Sequence, residues 1–375
     1  MSSKVQKQRN SAIELLRIIS MVFIMFHHFA IHGGFDWGAD SLTIPHAWYN
    51  LIIMGGKIGV DIFVLISGYY LINNEGYLFN FKKVLKFWGQ VFFYSVLIFA
   101  IFAVLGKAGV SVGTVVKAFF PITFSTWWFA SAYFVLYIIH PFYNKLLRML
   151  SKREYQILLV VGVLCWSVIP TFTTSTYQSN SLLWFMTLYA IAGYAKMYGF
   201  NERFTSFHYF CIWVIMTLLT YSSSLILVWL ESKYDISPFS PTYFYGQEKI
   251  TVLLISLSLF MAFATMKMKH YRFINIVSSA TFGVYLIHDN SFVRNFLWME
   301  VFKNAQYQDS LFLIPFSILV IITVYLTCTI IDLLRQNLFE KHYMVLVERY
   351  SDDLLTPFEK IVDACKSIVF GSDER

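Results

Sequence analysis

The feature that most constrains this chain is a series of apolar runs of about 20 residues, which recur from Ala12 to Asp332. A helix of that length rises about 1.5 Å per residue and can cross a hydrocarbon core of roughly 30 Å. Charged residues make up only 14% of the 375 residues, against about 25% in soluble domains. The runs therefore predict an all-α polytopic membrane protein.

Ten of these runs are candidate membrane spans, so we predict a bundle of about ten transmembrane helices. Their approximate limits are 12–32, 48–72, 84–105, 126–147, 156–172, 182–199, 207–230, 249–266, 274–294 and 311–334. Most basic residues fall in the loops and tails of one side, and the other side holds six: Lys107, Lys117, Lys233, Lys249, Arg294 and Lys303. Because cytoplasmic loops carry an excess of Lys and Arg, we predict that both termini are cytoplasmic.

Several global properties narrow the class of protein further. The net charge of +7 comes mainly from basic residues in short loops, where they set the orientation in the membrane. We therefore expect no nucleic-acid partner. The four cysteines stand singly without metal-ligand spacing, and no metal is expected. The first run lacks a small-residue cleavage site and contains two histidines, so we expect it to stay in the mature protein.

Two stretches do not fit a plain bundle of spanning helices. Residues 106–125 are too apolar for an open loop, which predicts an interfacial or re-entrant segment. Residues 336–375 mix apolar and charged positions, which is typical of amphipathic helices on a membrane surface. We therefore divide the chain into a transmembrane domain, 1–335, and a cytoplasmic amphipathic tail, 336–375.

The first run, "RIISMVFIMFHH" (17–28), places ionisable residues inside a span, where they are costly and are candidates for function. Arg17 and His28 are eleven residues apart, about three helical turns, so both leave the same helix face with a rise of about 16 Å. Glu14 and His32 extend this stripe, whereas His27 points about 100° away. Alternatively, Arg17 reaches the inner interface beside Glu14, and the histidines hydrogen-bond to neighbouring helices.

The second run contains "GGKIGVDIFVLISGYYLI" (55–72), which combines glycines with two charges. Lys57 and Asp61 have the i, i+4 spacing of a helical ion pair. Asp61 could instead orient a histidine through its second ring nitrogen. The glycines permit close helix approach or an unwound backbone. Ser67, near Asp61, is a weak candidate because a serine nucleophile needs an adjacent base.

Polar residues at the ends of three later runs complete the candidate site. Lys83 and Lys86 enter the third run beside the inner rim and could hold the phosphates of a coenzyme, although this stretch alone favours ordinary positive-inside charge. Trp128 opens the fourth run and could simply belong to an interfacial aromatic belt. His288 closes the ninth run on the predicted outer side, and we favour it over His140, which lies near the inner end.

These motifs together resemble acyltransferase family 3, the bacterial integral-membrane O-acyltransferases that modify surface polysaccharides. Arg17, ten residues and His28 match the family's first-span pattern, and "GVDIFVLISGYYL" is similar to its run ending in Ser-Gly. "WWFASAYFVLYIIHP" and "ATFGVYLIH" resemble its later spans. The chain resembles particularly the stand-alone members of Gram-positive capsule and exopolysaccharide systems, which have no fused extracytoplasmic domain. The family's third-span motif is usually arginine-rich, whereas this chain has Lys83 and Lys86.

The resemblance implies a multi-pass enzyme of the bacterial cytoplasmic membrane that moves an acetyl group from acetyl-CoA to a hydroxyl of a surface polysaccharide or its lipid-linked precursor. The implied catalytic residues are His28, Asp61 and His288, and the implied coenzyme-binding residues are Arg17, Lys83 and Lys86. Glu14, His27, Ser67 and Trp128 would support them. His28 would act as a general base or carry the acetyl group itself, and the sequence does not choose.

Two other functions use the same polar residues. A transporter or flippase for a lipid-linked glycan would line its path with them, and a glycan polymerase is a third class. Transporters are commonly built from two repeated halves with paired broken helices, and no such repeat is visible in the sequence. The sequence leaves open the sugar, the hydroxyl, the length of the acyl group and the oligomeric state.

Overall fold

The structure is a computed structural model that describes residues 9–37, 42–74, 80–173, 175, 179–236, 238–350, 360 and 364. Within these residues the regular structure is helical and contains no strand. In chain order the helices are α1 (Ser11–Ile31), α2 (Ile44–Leu71), α3 (Phe81–Val104), α4 (Val112–Phe119), α5 (Trp128–Met149), α6 (Lys152–Val163), α7 (Ile169–Phe172), α8 (Ser181–Tyr198), α9 (Ser206–Tyr234), α10 (Ile250–Thr265), α11 (Arg272–Ser279), α12 (Thr281–His288), α13 (Ser291–Asn295) and α14 (Leu313–Arg335).

Six helical units in this part of the chain are long and apolar enough to cross a membrane: α1, α2, α3, α9, the joined α6 and α7 (Lys152–Phe172) and α14 with its extension (Leu313–Tyr350). The prediction of an all-α multi-pass membrane protein is therefore confirmed. Helices also lie at the other predicted runs, but α10 has only 16 residues, and α8 packs inside the bundle against α2, α5 and α6. A helix enclosed by protein needs no apolar surface toward lipid, so length and apolarity are poor criteria for deciding whether it spans the membrane. The count of ten and the cytoplasmic termini stay predictions.

Polar residues just before the apolar runs set where the helices begin. The Asn10 side chain accepts a hydrogen bond from the backbone N–H of Ala12 at 3.0 Å, and Asn80 accepts one from Lys83 at 3.1 Å. Such caps satisfy backbone donors that have no partner inside the helix. The cap at Asn10 fixes the start of α1 and thereby the positions of its polar side chains along the helix axis.

Glycines bring α1 and α2 into close contact. A Cβ added at Gly59 would lie 2.5 Å from the carbonyl oxygen of Ser20, and one at Gly56 would lie 2.3 Å from Cγ of His27. Small residues allow helix backbones to approach in this way. The backbone of α2 is helical throughout, so the glycines serve close packing, and the alternative of an unwound segment does not occur.

The predicted ninth span is not one continuous helix. It consists of α11, α12 and α13, with breaks at Ala280 and at Asp289–Asn290. The Asn290 side chain accepts a hydrogen bond from the backbone N–H of Phe292 at 3.0 Å and starts α13 in a new direction. The second break therefore leaves His288 and Asp289 at a helix end inside the bundle, where both are buried.

The other two unusual stretches are partly helical. Residues 106–125 contain α4, whose eight residues are too short to cross a membrane and are mostly exposed. Beyond α14 the chain continues through a π-helical turn, Gln336–Glu340, and stays helical to Tyr350. The boundary predicted at 335 therefore falls within a continuous helical segment, and most of the remaining tail lies outside the described residues.

Candidate active site

A cavity of about 350 Å³ lies between α1, α2, α3, α5, α12 and the end of α14. Arg17 and His28 both line it, so the stripe inferred from helical spacing faces one enclosed space. Four cationic side chains, Arg9, Arg17, Lys86 and Arg335, line the cavity. Arg9 and Arg17 stand at the beginning of α1, and His28 is near its end. The cavity thus extends from a group of cationic side chains to His28.

His28 forms a hydrogen bond with His288, a residue 260 positions away in the chain. His28 Nδ1 lies 3.0 Å from His288 Nε2, and His288 Nδ1 lies 2.6 Å from the carbonyl oxygen of Val284. A carbonyl only accepts, so His288 Nδ1 carries the proton, and its Nε2 is then an acceptor in the neutral ring. His28 Nδ1 must therefore donate to it. This assignment leaves the lone pair of His28 on Nε2, which forms no hydrogen bond with any described residue.

Asp289 adds a negative charge beside the same imidazole. Its Oδ1 lies 3.5 Å from His28 Nδ1 and 3.7 Å from a guanidinium nitrogen of Arg294. The carboxylate is buried, whereas Arg294 is partly exposed. A carboxylate at this distance favours the imidazolium that forms when His28 takes a proton. His288 and Asp289 together orient His28 and stabilise its charged form.

The cationic end of the cavity contains carboxylates as well as cations. Arg17 lies 3.6 Å from Glu14 Oε2, which also accepts a hydrogen bond from Ser278. This long contact leaves the guanidinium donors of Arg17 largely available to a ligand, and its side chain is 32% exposed. Arg17 is therefore placed to bind an anion at the entrance to the cavity.

Lys86 and Arg335 are more fully paired than Arg17. Lys86 Nζ lies 2.6 Å from Glu340 Oε1, and Arg335 Nη1 lies 2.8 Å from Glu340 Oε2. Arg335 Nε also donates to Asp332 Oδ1 at 2.8 Å, and Asp332 accepts from Gln90 and Tyr94. This network fixes the cavity wall contributed by the end of α14. Its cations are mostly balanced, so we expect less anion affinity from them than from Arg17.

The structure separates some residues that the sequence grouped together. Lys83 is exposed and does not line the cavity, whereas Lys86 does. Asp61 does not contact His28, because its Oδ1 accepts hydrogen bonds from Trp184 at 3.2 Å and Gln247 at 3.1 Å. Asp289 holds the position beside the histidine that Asp61 was expected to hold.

The supporting candidates take up different positions. Ser67 and Trp128 line the cavity, and the Ser67 hydroxyl donates to the Phe63 carbonyl at 2.8 Å. His27 faces α2 and bonds the Ile53 carbonyl oxygen at 2.7 Å. Lys57 forms no ion pair with Asp61, although both residues are described. Its Nζ lies 5.0 Å from the centre of the Trp128 ring.

The sequence interpretation missed Asp289, Arg335 and Glu340 at the site, as well as Arg9 and Arg294. Asp289 had a visible signal, because it follows His288 directly at the end of an apolar run. Arg335 and Glu340 had none, since they looked like ordinary charges at a span end and in the tail. Their role depends on the helix continuing past 335.

His28, His32 and Asp289 also form the one cluster of metal-ligating groups found among the described residues, with ligand atoms within 4.8 Å of one another. Histidine and aspartate are suitable ligands for zinc. Arg294 lies against Asp289, however, and its positive charge opposes a divalent cation. The expectation that the protein uses no metal stays a prediction.

Comparison with known proteins matches most of the chain to one protein family. The model of acyltransferase family 3, described as an acyltransferase domain, matches residues 10–332. The match includes α1 to α13 and most of α14, and therefore His28, His288 and Asp289. No curated protein and no solved structure matches the chain.

Proposed function

The chain belongs to acyltransferase family 3 and is a membrane acyltransferase, and from this premise we propose a specific reaction. The protein transfers an acetyl group from cytoplasmic acetyl-CoA to a hydroxyl of a bacterial surface polysaccharide, or of its lipid-linked precursor, in the cytoplasmic membrane. One observation carries the proposal: a single cavity is lined at one end by the cationic group that includes Arg17 and farther along α1 by His28.

The donor lies along the cavity in this proposal. Its phosphates bind at the cationic end, chiefly to Arg17, whose guanidinium offers several donors to phosphate oxygens. The separation of about 16 Å between Arg17 and His28 along α1 accommodates an extended pantetheine arm. The thioester then reaches His28, while the coenzyme enters and leaves on the cytoplasmic side. Arg9 and Lys86 complete the positive field around the phosphates.

In the direct route, His28 acts as a general base. Its Nε2 takes the proton of the acceptor hydroxyl as that oxygen attacks the thioester carbonyl carbon. The carbon–sulfur bond breaks, the acetyl group becomes an ester, and the thiolate takes a proton to leave as coenzyme A. His288 keeps the proton of His28 on Nδ1, so that Nε2 is available as a base. Asp289 stabilises the imidazolium while it exists.

A second route uses the same atom as a nucleophile. Nε2 of His28 attacks the thioester carbonyl, coenzyme A leaves, and an acetyl-imidazole remains on the protein. The acceptor hydroxyl then attacks this acetyl group and releases the imidazole. Incubating the protein with radiolabelled acetyl-CoA without acceptor separates the routes, because only the second leaves label on His28.

Transfer of radiolabelled acetyl from acetyl-CoA to glycan in membranes containing the protein tests the proposed function. We expect base-labile label in the polysaccharide fraction, and none from membranes that lack the chain. A transporter or polymerase would change the amount or the length of glycan without labelling it. Unlabelled glycan from membranes with verified protein would contradict the proposal.

A further inference from the structure

A second, polar pocket of about 240 Å³ lies next to α2, whose Asp61 bonds two of its lining residues. It is formed at the beginning of α8 and by the segment before α10, both on the predicted outer side. Its lining residues are Ser179, Asn180, Ser181, Trp184, Gln247 and Glu248. The volume is below the range of about 300–1,000 Å³ typical of drug-sized ligands. The pocket therefore suits one small unit of a larger molecule.

Asp61 lies directly behind this pocket. It is fully buried, and its Oδ1 is bonded by Trp184 and Gln247, which both line the pocket. The other oxygen, Oδ2, is buried without a hydrogen-bond partner among the described residues. Leaving a buried acceptor unpaired costs about 1–3 kcal/mol. Such an atom indicates a place where a donor is missing, and a ligand hydroxyl is a suitable donor.

Helix α2 contributes to both the cavity and the surroundings of the pocket. Val60 lines the cavity, and its neighbour Asp61 supports the pocket. Lys57, one turn earlier, stands over the ring of Trp128, which also lines the cavity. A molecule held in the pocket would therefore be one helix away from the acetyl donor.

The chemistry of the pocket selects the kind of ligand. Its lining offers amides, hydroxyls, an indole and the carboxylate of Glu248, and no cation is among its described lining residues. Glu248 forms no hydrogen bond or ion pair with any described residue, so its oxygens are available as acceptors. Glu248 is the one charged side chain among the described lining residues of the pocket, and its carboxylate would repel a phosphate. This pocket therefore excludes the coenzyme and suits a neutral molecule with several hydroxyl groups.

We propose that this pocket binds one sugar unit of the acceptor glycan. The proposal rests on the proposed function for the nature of the acceptor, and it adds where that acceptor is held. Glu248, Gln247 and Asn180 bond the sugar hydroxyls, and Trp184 forms an aromatic wall. Asp61 is a positioning residue in this assignment, because it fixes Trp184 and Gln247 rather than a catalytic histidine.

The experiment uses the purified full chain and, as acceptor, the surface polysaccharide of the producing bacterium after mild alkali has removed its esters. The variants are Gln247→Ala and Glu248→Gln, with Glu231→Gln as a matched control at the end of α9. We expect each pocket variant to raise the half-saturating acceptor concentration at least tenfold. The KM for acetyl-CoA should change less than twofold, and more acceptor should restore the rate.

The outcomes separate this proposal from the one on which it rests. If the unchanged chain transfers no acetyl to the polysaccharide, the proposed function is wrong. If the unchanged chain transfers acetyl and Gln247→Ala and Glu248→Gln saturate at the same acceptor concentration, only the assignment of the pocket is wrong. Equal weakening toward acetyl-CoA and acceptor would also overturn it, because that result indicates general damage to the fold.

Discussion

The two bonded histidines should differ sharply in how much activity they support. Replacing His28 by alanine removes the base itself, and proton transfer by a positioned side chain contributes about 10²- to 10⁴-fold. This corresponds to about 2.7–5.4 kcal/mol, at about 1.36 kcal/mol for each factor of ten. Replacing His288 by alanine removes its hydrogen bonds to Val284 and to His28. The bond of 3.0 Å to His28 is the one that bears on the rate, and it is worth about 0.5–1.5 kcal/mol net. That loss lowers the rate only about 2- to 13-fold.

A third variant tests the proposed tautomer. The side-chain oxygen of glutamine can accept a hydrogen bond from Nδ1–H of His28, as the ring of His288 does. His288→Gln should therefore regain part of the activity that His288→Ala loses. A role for His288 in packing alone would not favour an acceptor at this position.

The assay is the initial rate of radiolabelled acetyl transfer at saturating acetyl-CoA, corrected for the amount of protein in the membranes. His342→Ala is the matched control, because His342 is exposed and does not line the cavity. A His28→Ala variant within tenfold of the unchanged protein would refute the role of His28. Equal, complete losses in His28→Ala, His288→Ala and His288→Gln would refute the difference between the two histidines.

Three further substitutions test other parts of the structure. Arg17→Ala should raise the Kd for acetyl-CoA about tenfold or more, since hydrogen bonds to charged groups are worth about 1.5–3 kcal/mol. The control Lys83→Ala should change this Kd less than twofold. Equilibrium binding of acetyl-CoA to the purified protein measures both values. Asp289→Asn should lower kcat about tenfold with little change in the KM for acetyl-CoA, and an unchanged kcat would remove the carboxylate from the mechanism. Gly59→Leu should lower the melting temperature in detergent, because overpacking typically costs about 1–3 kcal/mol. The control Gly109→Leu should melt like the unchanged protein, because no atom lies within 4 Å of a Cβ added at Gly109.

Helical periodicity was enough to predict the parts of the site that lie on one helix. The spacing of Arg17 and His28 places them on one face whatever the rest of the fold does. The structure shows both side chains lining one cavity. The same reasoning separated His27 from His28, and His27 indeed faces α2.

Contacts between distant helices could not be predicted in this way. Asp61 was expected beside the histidine because it is a carboxylate near the middle of a span, but nothing in its own helix says which helix packs there. The position belongs to Asp289, brought in by the break after α12. Lys83 and Lys86 looked equivalent in sequence, but of the two only Lys86 contacts Glu340 and lines the cavity.

The helix that continues past Arg335 has a practical consequence for dividing the chain. The family match ends at residue 332, yet Arg335, Gln336 and Glu340 line the cavity. A fragment cut at the end of the match would keep His28 and His288 and lose part of the cavity wall. Such a fragment would open the cationic end of the cavity to water. The matched domain thus contains His28, His288 and Asp289, and the segment beyond it completes the wall of the cavity that His28 lines.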